Sequence, residues 1–204
     1  KKRYRKKWEI SLICLIVLSI LFVGYGRYAE NCFEITCYYL ETSKLQRDIS
    51  IALLSDLHNH EYGEDNYELT EAIRKLQPDL IIMAGDMVDY HEIDVSVILT
   101  LCDDLKRVAP IYYVLGNHEG VMIYANDGGN VPLDMYLLQK GIHVLYQGRM
   151  DVDTVGGTVS LGGFSVPEEE TEFIDKQKLR EFENSDNYKI IVSHFPSVFY
   201  EYLY

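Results

Sequence analysis

Short apolar runs recur along the chain, and each of them gives way to polar, chemically versatile side chains. Runs this short and continuous predict strands that are buried on both faces, as in a parallel sheet. Ligands of open α/β sheets bind at the carboxyl ends of such strands, so the pattern predicts one site assembled from strand ends. The runs are residues 51–54 before Asp56 and His58, residues 80–84 before Asp86, residues 111–115 before Asn117 and His118, and residues 189–193 before His194.

Patterns with a helical period separate the first three runs and predict two β-α-β units with parallel crossovers. The first helix begins near Asp65, which together with Glu68 predicts mutual capping, and it ends before Pro78. The second helix covers about residues 93–108 and ends before Pro110. The parallel strands on either side of these helices are therefore expected to end at one rim of the sheet.

The remaining patterns complete a single α/β domain over residues 49–204, preceded by residues 29–48 as a linker and first strand. Turn residues and changes of period mark the boundaries of the elements. The further elements are a strand over residues 33–40, a loop near the site over residues 124–130, a helix from Pro132 to Lys140 stopped by Gly141, a strand over residues 142–146, one or two strands over residues 154–164 joined by Gly156 and Gly157, an acidic loop over residues 167–172 and a helix over residues 175–183.

Residues 1–28 combine a basic cluster with an apolar segment. Six Lys or Arg precede Trp8, and residues 10–25 carry no charge and are rich in Leu, Ile and Val. With Tyr25 and Tyr28 at the far end, this order predicts a transmembrane helix with aromatic residues at both membrane surfaces. A cleavable signal peptide has the same order, but no convincing cleavage site follows, so we favour an uncleaved anchor. The basic flank predicts a single-pass cell-membrane protein whose domain is extracytoplasmic.

The charge of the chain is strongly asymmetric. Its net charge is −13, yet residues 1–27 carry seven Lys or Arg and one Glu, so the other 177 residues carry −19. A domain this acidic is not expected to bind nucleic acid through its general surface field. It could hold a phosphorylated substrate if metal cations invert the local field. None of the four Cys forms a Cys-x-x-Cys pair, so a thiolate zinc site is not predicted.

The spacing of the polar residues supports their convergence. Asp56 and Asp86 are 30 residues apart and Asp86 and Asn117 are 31 apart, and each interval holds one helix and one strand. These intervals place the residues at the ends of neighbouring strands. A mixture of Asp, Asn and His side chains suits manganese, iron or zinc better than calcium. The sequence therefore predicts a divalent metal site.

Taken together, the motifs closely resemble those of the calcineurin-like metallophosphoesterases over roughly residues 49–200. The motifs are Asp56-x-His58, Gly85-Asp86-x-x-Asp89, Gly116-Asn117-His118-Glu119 and Ser193-His194, in that order. The Ser-Asp-Leu-His-Asn sequence behind a spanning helix is similar to the membrane-anchored bacterial branch. The resemblance implies a layered sheet sandwich flanked by helices, and an activity as a phosphodiesterase or phosphatase.

The resemblance also implies a role for each matching side chain. Asp56 and His58 would hold the first of two divalent ions, Asp86 would bridge both, and Asn117 and His194 would hold the second. The ions would be manganese, iron or zinc, and a hydroxide that they activate would attack the phosphate.

His118 would not be a ligand. It would stabilise charge on the phosphate or protonate the leaving oxygen, because an imidazole pKa lies near working pH. The membrane-anchored relatives suggest a phosphodiester or lipid-linked phosphate, so we expect a phosphorylated small-molecule or lipid-linked substrate and no nucleic acid.

One departure from the family pattern leaves alternatives open. The family's Gly-His-x-His motif, which supplies one ligand to each metal, does not follow His194 in this sequence. We expect that the chain is a fragment that ends before this motif. The alternative is a non-catalytic binding module with an incomplete metal site. An amidohydrolase-type barrel that uses His58-x-His60 is disfavoured, because it does not explain Gly-Asn-His.

Two acidic residues in the motifs have two interpretations each. Asp89 and Glu119 could orient metal ligands from behind, or they could stabilise turns. His60 is expected on a solvated loop, and His91 and His143 are expected at the surface.

Overall fold

The computed structural model describes residues 2–91, 94–124, 132–165, 174–197 and 199. The chain divides into two compact units, Lys1–Tyr39 and Leu40–Tyr204. Most of the first unit is one helix, α1 (Lys2–Glu30). An 18-residue window of its segment Trp8–Glu30 has a mean hydropathy of 2.2, so the segment is long and apolar enough to cross a membrane.

The predicted strand over residues 33–40 is wrong. This segment is irregular and pairs with none of the described strands, and Tyr38 and Tyr39 are 85% and 91% exposed. Its Phe, Ile and Tyr residues have high β-propensity, but that propensity reflects packing on a pleated, half-buried surface rather than an intrinsic backbone preference. The segment lacks such a surface, so it does not form a strand.

Four parallel strands form the first sheet of the second unit. They are β1 (Ile51–Leu54), β2 (Leu80–Met83), β3 (Ile111–Tyr113) and β4 (His143–Val144), and they pair in that order. The helices that connect or follow them are α2 (Tyr67–Leu76), α3 (Ser96–Leu105), α4 (Asn117–Tyr124) and α5 (Leu133–Gln139). The two predicted β-α-β units are therefore confirmed.

The second sheet has three strands. A hairpin joins β5 (Gly148–Thr154) to β6 (Gly157–Gly163), and β7 (Tyr188–Val192) lies parallel to β6. The predicted glycine turn is confirmed, but the hairpin begins earlier than the Gly-rich pattern indicated. Between β6 and β7, α6 (Lys176–Glu183) starts at Asp175, whose carboxylate accepts hydrogen bonds from the amides of Gln177 and Lys178. Residues 166–173, where the acidic loop was predicted, lie outside the described residues.

The two sheets share one apolar core, which makes the predicted sandwich. The core residues are Leu80, Ile82, Tyr112, Val114, Leu145, Val159, Leu161 and Val192. On the other face of β2, the Met83 sulfur lies 3.9 Å from the sulfur of Cys102 on α3. Leu80, Ile81, Ile82 and Met83 are all at most 3% exposed. The prediction of a strand buried on both faces is thus confirmed for β2.

The same prediction is wrong for β1. Leu53 is 67% exposed, because β1 is the edge of the sheet and β2 is its only described neighbour. An apolar run therefore does not distinguish a central strand from an edge strand.

The predicted capping of α2 by Asp65 and Glu68 is also wrong. Asp65 and Asn66 both have left-handed backbone angles, with φ of 53° and 59°. The side-chain oxygen of Asn66 accepts a hydrogen bond from the amide of Tyr62 at 2.9 Å, and the amide of Glu68 donates to the Tyr62 carbonyl. The chain thus enters the helix through a tight loop in which Asp65 cannot act as the cap.

Candidate metal centre

The carboxyl ends of β1, β2 and β3 lie side by side, and backbone hydrogen bonds join the loops that follow them. The amides of Asp56, His58 and Asn59 donate to the carbonyls of Gly85, Asp86 and Met87, each at 3.1 Å. The first two motifs are therefore held in register with each other, as the strand order predicts.

These loops adopt left-handed backbone conformations at the predicted ligands. Asp56, His58 and Asp86 have φ of 58°, 47° and 52°, and Asn59 has a φ of 59°. Such conformations are sparsely populated by residues other than glycine and cost of order 1–3 kcal/mol each. The inter-loop hydrogen bonds over-determine them, and this arrangement is typical of functional sites.

Two motif glycines allow the second and third loops to touch. Gly85 has a φ of +89°, and a Cβ there would lie 2.7 Å from the amide nitrogen of Gly116. A Cβ on Gly116 would lie 2.2 Å from the carboxylate oxygen Oδ1 of Asp86. The Gly-Asp and Gly-Asn pairs are thus explained by close packing around the Asp86 carboxylate.

Glu119 lies fully buried behind this contact and accepts four hydrogen bonds. Its Oε2 accepts from the amides of Asp86 and Gly116 at 2.9 and 2.8 Å, and its Oε1 accepts from the amide of Met87 and the hydroxyl of Tyr113 at 2.8 and 2.6 Å. Burial, with the Glu119 carboxylate as a further cause, raises the pKa of Tyr113 well above its usual value, so the phenol remains a donor. Glu119 therefore orients a candidate metal ligand from behind, because its carboxylate fixes the backbone of Asp86.

The structure brings the candidate ligands together around Asp86. Ligand atoms of His58, Asp86 and His118 lie within 4.8 Å of one another, and so do those of Asp56, Asp86 and His194. Asp86 belongs to both groups and is 4% exposed. The groups differ from the predicted pairing, because they associate Asp56 with His194 and place His118 beside His58. Which ion each side chain would hold stays a prediction.

The surroundings of His194 provide a test of whether a cation fits. Its Nδ1 lies 3.0 Å from the carbonyl oxygen of Ala84, which can only accept, so this nitrogen donates. In the neutral ring, Nε2 then carries a lone pair, and it faces Oδ1 of Asn117 at 3.2 Å and Oδ2 of Asp86 at 3.3 Å. Three atoms that can each bind a metal therefore lie close together, which suits a cation. The donation by Nδ1 to a carbonyl is also the usual arrangement of a metal-binding histidine.

The charges of the site also favour a bound cation. Asp56, Asp86 and Glu119 gather here, and within the described residues no Lys or Arg forms an ion pair with any of them. Asp56 and His58 lie on the solvent-exposed side of the site, with side-chain exposures of 57% and 38%. A buried carboxylate without a cationic partner is costly, so bound divalent cations would compensate the site.

His118 and His194 both approach Oδ2 of Asp86. The His118 amide donates to Asp86 Oδ1 at 3.0 Å, and its Nε2 is 3.8 Å from Asp86 Oδ2. Its ring meets the ring of His58 edge to face at 4.4 Å between centroids. The side chain is 17% exposed, which leaves one edge accessible from the site.

The other histidines lie outside both ligand groups. His91 and His143 are exposed, as expected, beside Tyr90 and Tyr112 respectively. His60 is half-buried against Tyr62, with its Nε2 inaccessible, so the expectation of a solvated loop position is wrong.

The fold and the ligand geometry agree with the comparisons to known proteins. The sequence profile of the family described as calcineurin-like phosphoesterase matches residues 49–204. The chain belongs to this family. A calcineurin-like phosphoesterase is thereby expected to be a hydrolase, and its metal ligands are expected among the side chains around Asp86.

Relatives of this phosphoesterase include proteins without an assigned substrate. An uncharacterized metallophosphoesterase of Campylobacter jejuni is 25% identical over 147 residues, which are 71% of this chain and 37% of that protein. A putative metallophosphoesterase of Caenorhabditis elegans is 26% identical over 201 residues, which are 91% of this chain and 40% of that protein. The chain spans less than half the length of these curated relatives.

One solved structure with a similar chain path is a phosphopantetheinyl hydrolase from Mycobacterium tuberculosis. It is 19% identical, with a TM-score of 0.46, and the match covers 72% of this chain and 68% of that chain.

Sequence reasoning missed several contacts of this phosphoesterase site. Asn117 begins helix α4, for which no helix was predicted. The hydroxyl of Ser165 accepts from the amide of His194 at 3.2 Å, and the carbonyl of Ala84 orients its ring. The amide of Tyr90 lies 3.2 Å from Nδ1 of His118. The Glu of the Gly-Asn-His-Glu motif was a visible signal for Glu119, whereas Ser165 and Tyr90 lie in no pattern that points to the site.

Proposed function

We propose that this chain forms the core of a phosphoesterase that hydrolyses phosphoester bonds with two divalent cations. The observation that carries the proposal is that Oδ1 of Asn117 and Oδ2 of Asp86 lie 3.2 and 3.3 Å from Nε2 of His194. Carboxylate oxygens of Asp86 lie within 4.8 Å of ligand atoms of Asp56, His58 and His194, which supports a pair of ions that share this carboxylate.

Asp56 and His58 would hold one cation, Asn117 and His194 would hold the other, and Asp86 would contribute to both. When bound, two such ions clamp a phosphate and lower the pKa of a water molecule. Glu119 accepts a hydrogen bond from the amide of Asp86 and so keeps the Asp86 carboxylate in place. The left-handed loops restrict movement of the ligand side chains away from one another. The ligand set fits manganese, iron or zinc.

His118 would act on the substrate rather than on a cation. Its Nε2 edge faces the Asp86 carboxylate, where a bound phosphate would lie. From there it can donate a hydrogen bond to a phosphate oxygen or a proton to the leaving oxygen.

The location and substrate are part of the same proposal. Helix α1 would anchor the protein in the cell membrane with the catalytic unit outside the cytoplasm. A membrane-tethered site is suited to a phosphorylated small molecule or a lipid-linked phosphate, and the acidic domain argues against nucleic acid.

The test compares three variants of the full-length protein by bound-metal analysis and by manganese-dependent hydrolysis of bis(p-nitrophenyl) phosphate. Asp86→Asn should lose both metal and turnover, because the shared carboxylate is removed. His118→Asn should keep metal and lose turnover. His143→Asn replaces an exposed histidine on β4 and should change neither. Equal metal loss in the first two variants would refute the assigned roles, and a wild-type protein that binds metal without turnover would indicate a binding module.

A further inference from the structure

A row of aromatic rings leads from the candidate metal centre to the protein surface. The rings of His58 and His118 meet edge to face at 4.4 Å between centroids, and the His118 ring meets the Tyr90 ring in the same way at 4.7 Å. Tyr90 in turn contacts the ring of His91 at 3.9 Å, with 38° between the two planes. We call the last two rings, those of Tyr90 and His91, the aromatic platform.

The inner end of the row lies at the carboxylate that the proposed cations would share. Nε2 of His118 lies 3.8 Å from Oδ2 of Asp86, so the His118 ring links this carboxylate to the Tyr90 ring. The outer end of the row is open, since Tyr90 remains 42% exposed and His91 is also exposed. A phosphate held at Asp86 would therefore have the aromatic platform within reach of its ester group.

The backbone that presents the aromatic platform is held in place. Met87 and Val88 directly precede this turn and are at most 1% exposed, so the turn starts from a buried base. The carboxylate of Asp89 accepts a hydrogen bond from the amide of His91 at 3.0 Å and thereby stabilises the turn. A tyrosine ring on a fixed turn loses little conformational freedom when it contacts a ligand. The platform is thus preorganised for binding.

The chemistry of the aromatic platform favours a planar ring as its ligand. Aromatic rings pack on one another in offset or edge-to-face arrangements, and such contacts stabilise a complex beyond the burial of apolar area. An alkyl chain would gain the burial of area alone. The carboxylate of Asp89, which is 32% exposed beside the platform, disfavours a second anionic group at this position.

We propose that the aromatic platform is a specificity subsite for a planar ring, and that the substrate is a small phosphate ester that carries an aromatic or heteroaromatic ring rather than a lipid chain. This inference rests on the proposed function and narrows its substrate class. Tyr90 would contribute most of the selectivity, because its ring lies between the metal centre and the exposed ring of His91.

Phosphonates test the aromatic platform independently of turnover. Phenylphosphonate and methylphosphonate present the same anionic group to the cations, and only the first carries a ring. Isothermal titration calorimetry of the manganese-loaded full-length protein gives a Kd for each, and the ratio of the two Kd values measures the preference for the ring. Tyr90→Leu keeps apolar bulk and removes the ring, whereas Tyr90→Phe keeps the ring. Tyr67→Leu replaces an exposed tyrosine on α2 and serves as the control.

We expect the wild type to bind phenylphosphonate more tightly than methylphosphonate. Tyr90→Leu should reduce this preference by about two- to tenfold, which is the contribution of an aromatic pair beyond its buried area. Tyr90→Phe and Tyr67→Leu should keep the preference. The Kd of methylphosphonate and the bound-metal content should not change in any of the variants, because the platform does not contribute ligands to the cations.

Two results would overturn the proposal: a wild type that binds both phosphonates equally, or a preference in Tyr90→Leu equal to that of the wild type. In both cases the binding of phosphonate would still support the proposed function. A loss of preference in Tyr90→Phe as large as in Tyr90→Leu would assign the effect to the hydroxyl group and refute the stacking. If the manganese-loaded wild type bound neither phosphonate, the proposed function would fail, and this inference with it.

Discussion

Replacing Glu119 by Gln is the most direct probe of how the metal centre is built. The carboxylate accepts two hydrogen bonds on each oxygen, at 2.6–2.9 Å, and three of the four donors are backbone amides. Gln has a single acceptor oxygen, so it can serve only one pair. The best arrangement directs the oxygen to the amides of Asp86 and Gly116 and the NH₂ group to Tyr113, whose hydroxyl can turn to accept. The amide of Met87 then faces another donor.

The cost follows from this geometry. One buried, unpaired N–H costs about 1–3 kcal/mol, and the bonds that remain lose their charge assistance. Relief from burying a charge offsets part of this loss. We therefore expect Glu119→Gln to lower the free energy of unfolding by about 2–4 kcal/mol. Since the lost bonds hold the Asp86 backbone, the bound-metal content should fall as well.

Urea unfolding monitored by circular dichroism measures the effect, as a lower midpoint with an unchanged slope. Tyr113→Phe removes one donor and keeps the three amides, so it should cost only about 1 kcal/mol and leave metal binding intact. Glu68→Gln, on the exposed surface of α2, controls for loss of a carboxylate. If Glu119→Gln cost no more than Tyr113→Phe and kept its metal, Glu119 would not be the residue that positions Asp86.

Three further results are expected. Gly116→Ala should reduce the bound-metal content, because its Cβ would meet the Asp86 carboxylate. Gly120→Ala on α4 has open space around its Cβ and should leave the metal content unchanged, and metal analysis of both proteins checks this. Burial raises the pKa of Cys102 to about 12, so alkylation at pH 8 followed by mass spectrometry should leave this thiol unmodified until the protein is unfolded. Ile82→Ala should cost about 2–5 kcal/mol in urea unfolding, because Ile82 packs between the two sheets; a loss below about 1 kcal/mol would contradict that packing.

Sequence reasoning succeeded where local patterns and long-range packing agree. The run from Leu80 to Met83 is buried on both faces, and its end delivers Asp86 to the site. The wrong predictions arose where local patterns and long-range packing disagree. Residues 33–40 have β-propensity but no partner among the strands that the structure describes, and Leu53 belongs to an apolar run but lies on an edge strand. Pairing depends on distant parts of the chain, which propensity does not encode.

The finer features of the metal centre depend on contacts between distant loops. The start of α4 is fixed by a bond from the His118 amide to Asp86, 32 positions away. The amide of Tyr90, in the turn after β2, lies 3.2 Å from Nδ1 of His118 on α4. Motif spacing predicted which residues meet, whereas the hydrogen bonds that orient them became evident only in three dimensions.

If the protein binds metal as proposed, the left-handed loops around Asp86 connect its lifetime to metal supply. A cation that binds the folded chain and not the unfolded one stabilises it by RT ln(1 + [L]/Kd), about 2.7 kcal/mol at a hundredfold excess over Kd. Without such a ligand, the strain at Asp56, His58 and Asp86 favours opening of these loops. When metal is scarce, the first effect would then be proteolysis of the chain. Metal supply would therefore determine how much of the protein is present as well as how fast it works.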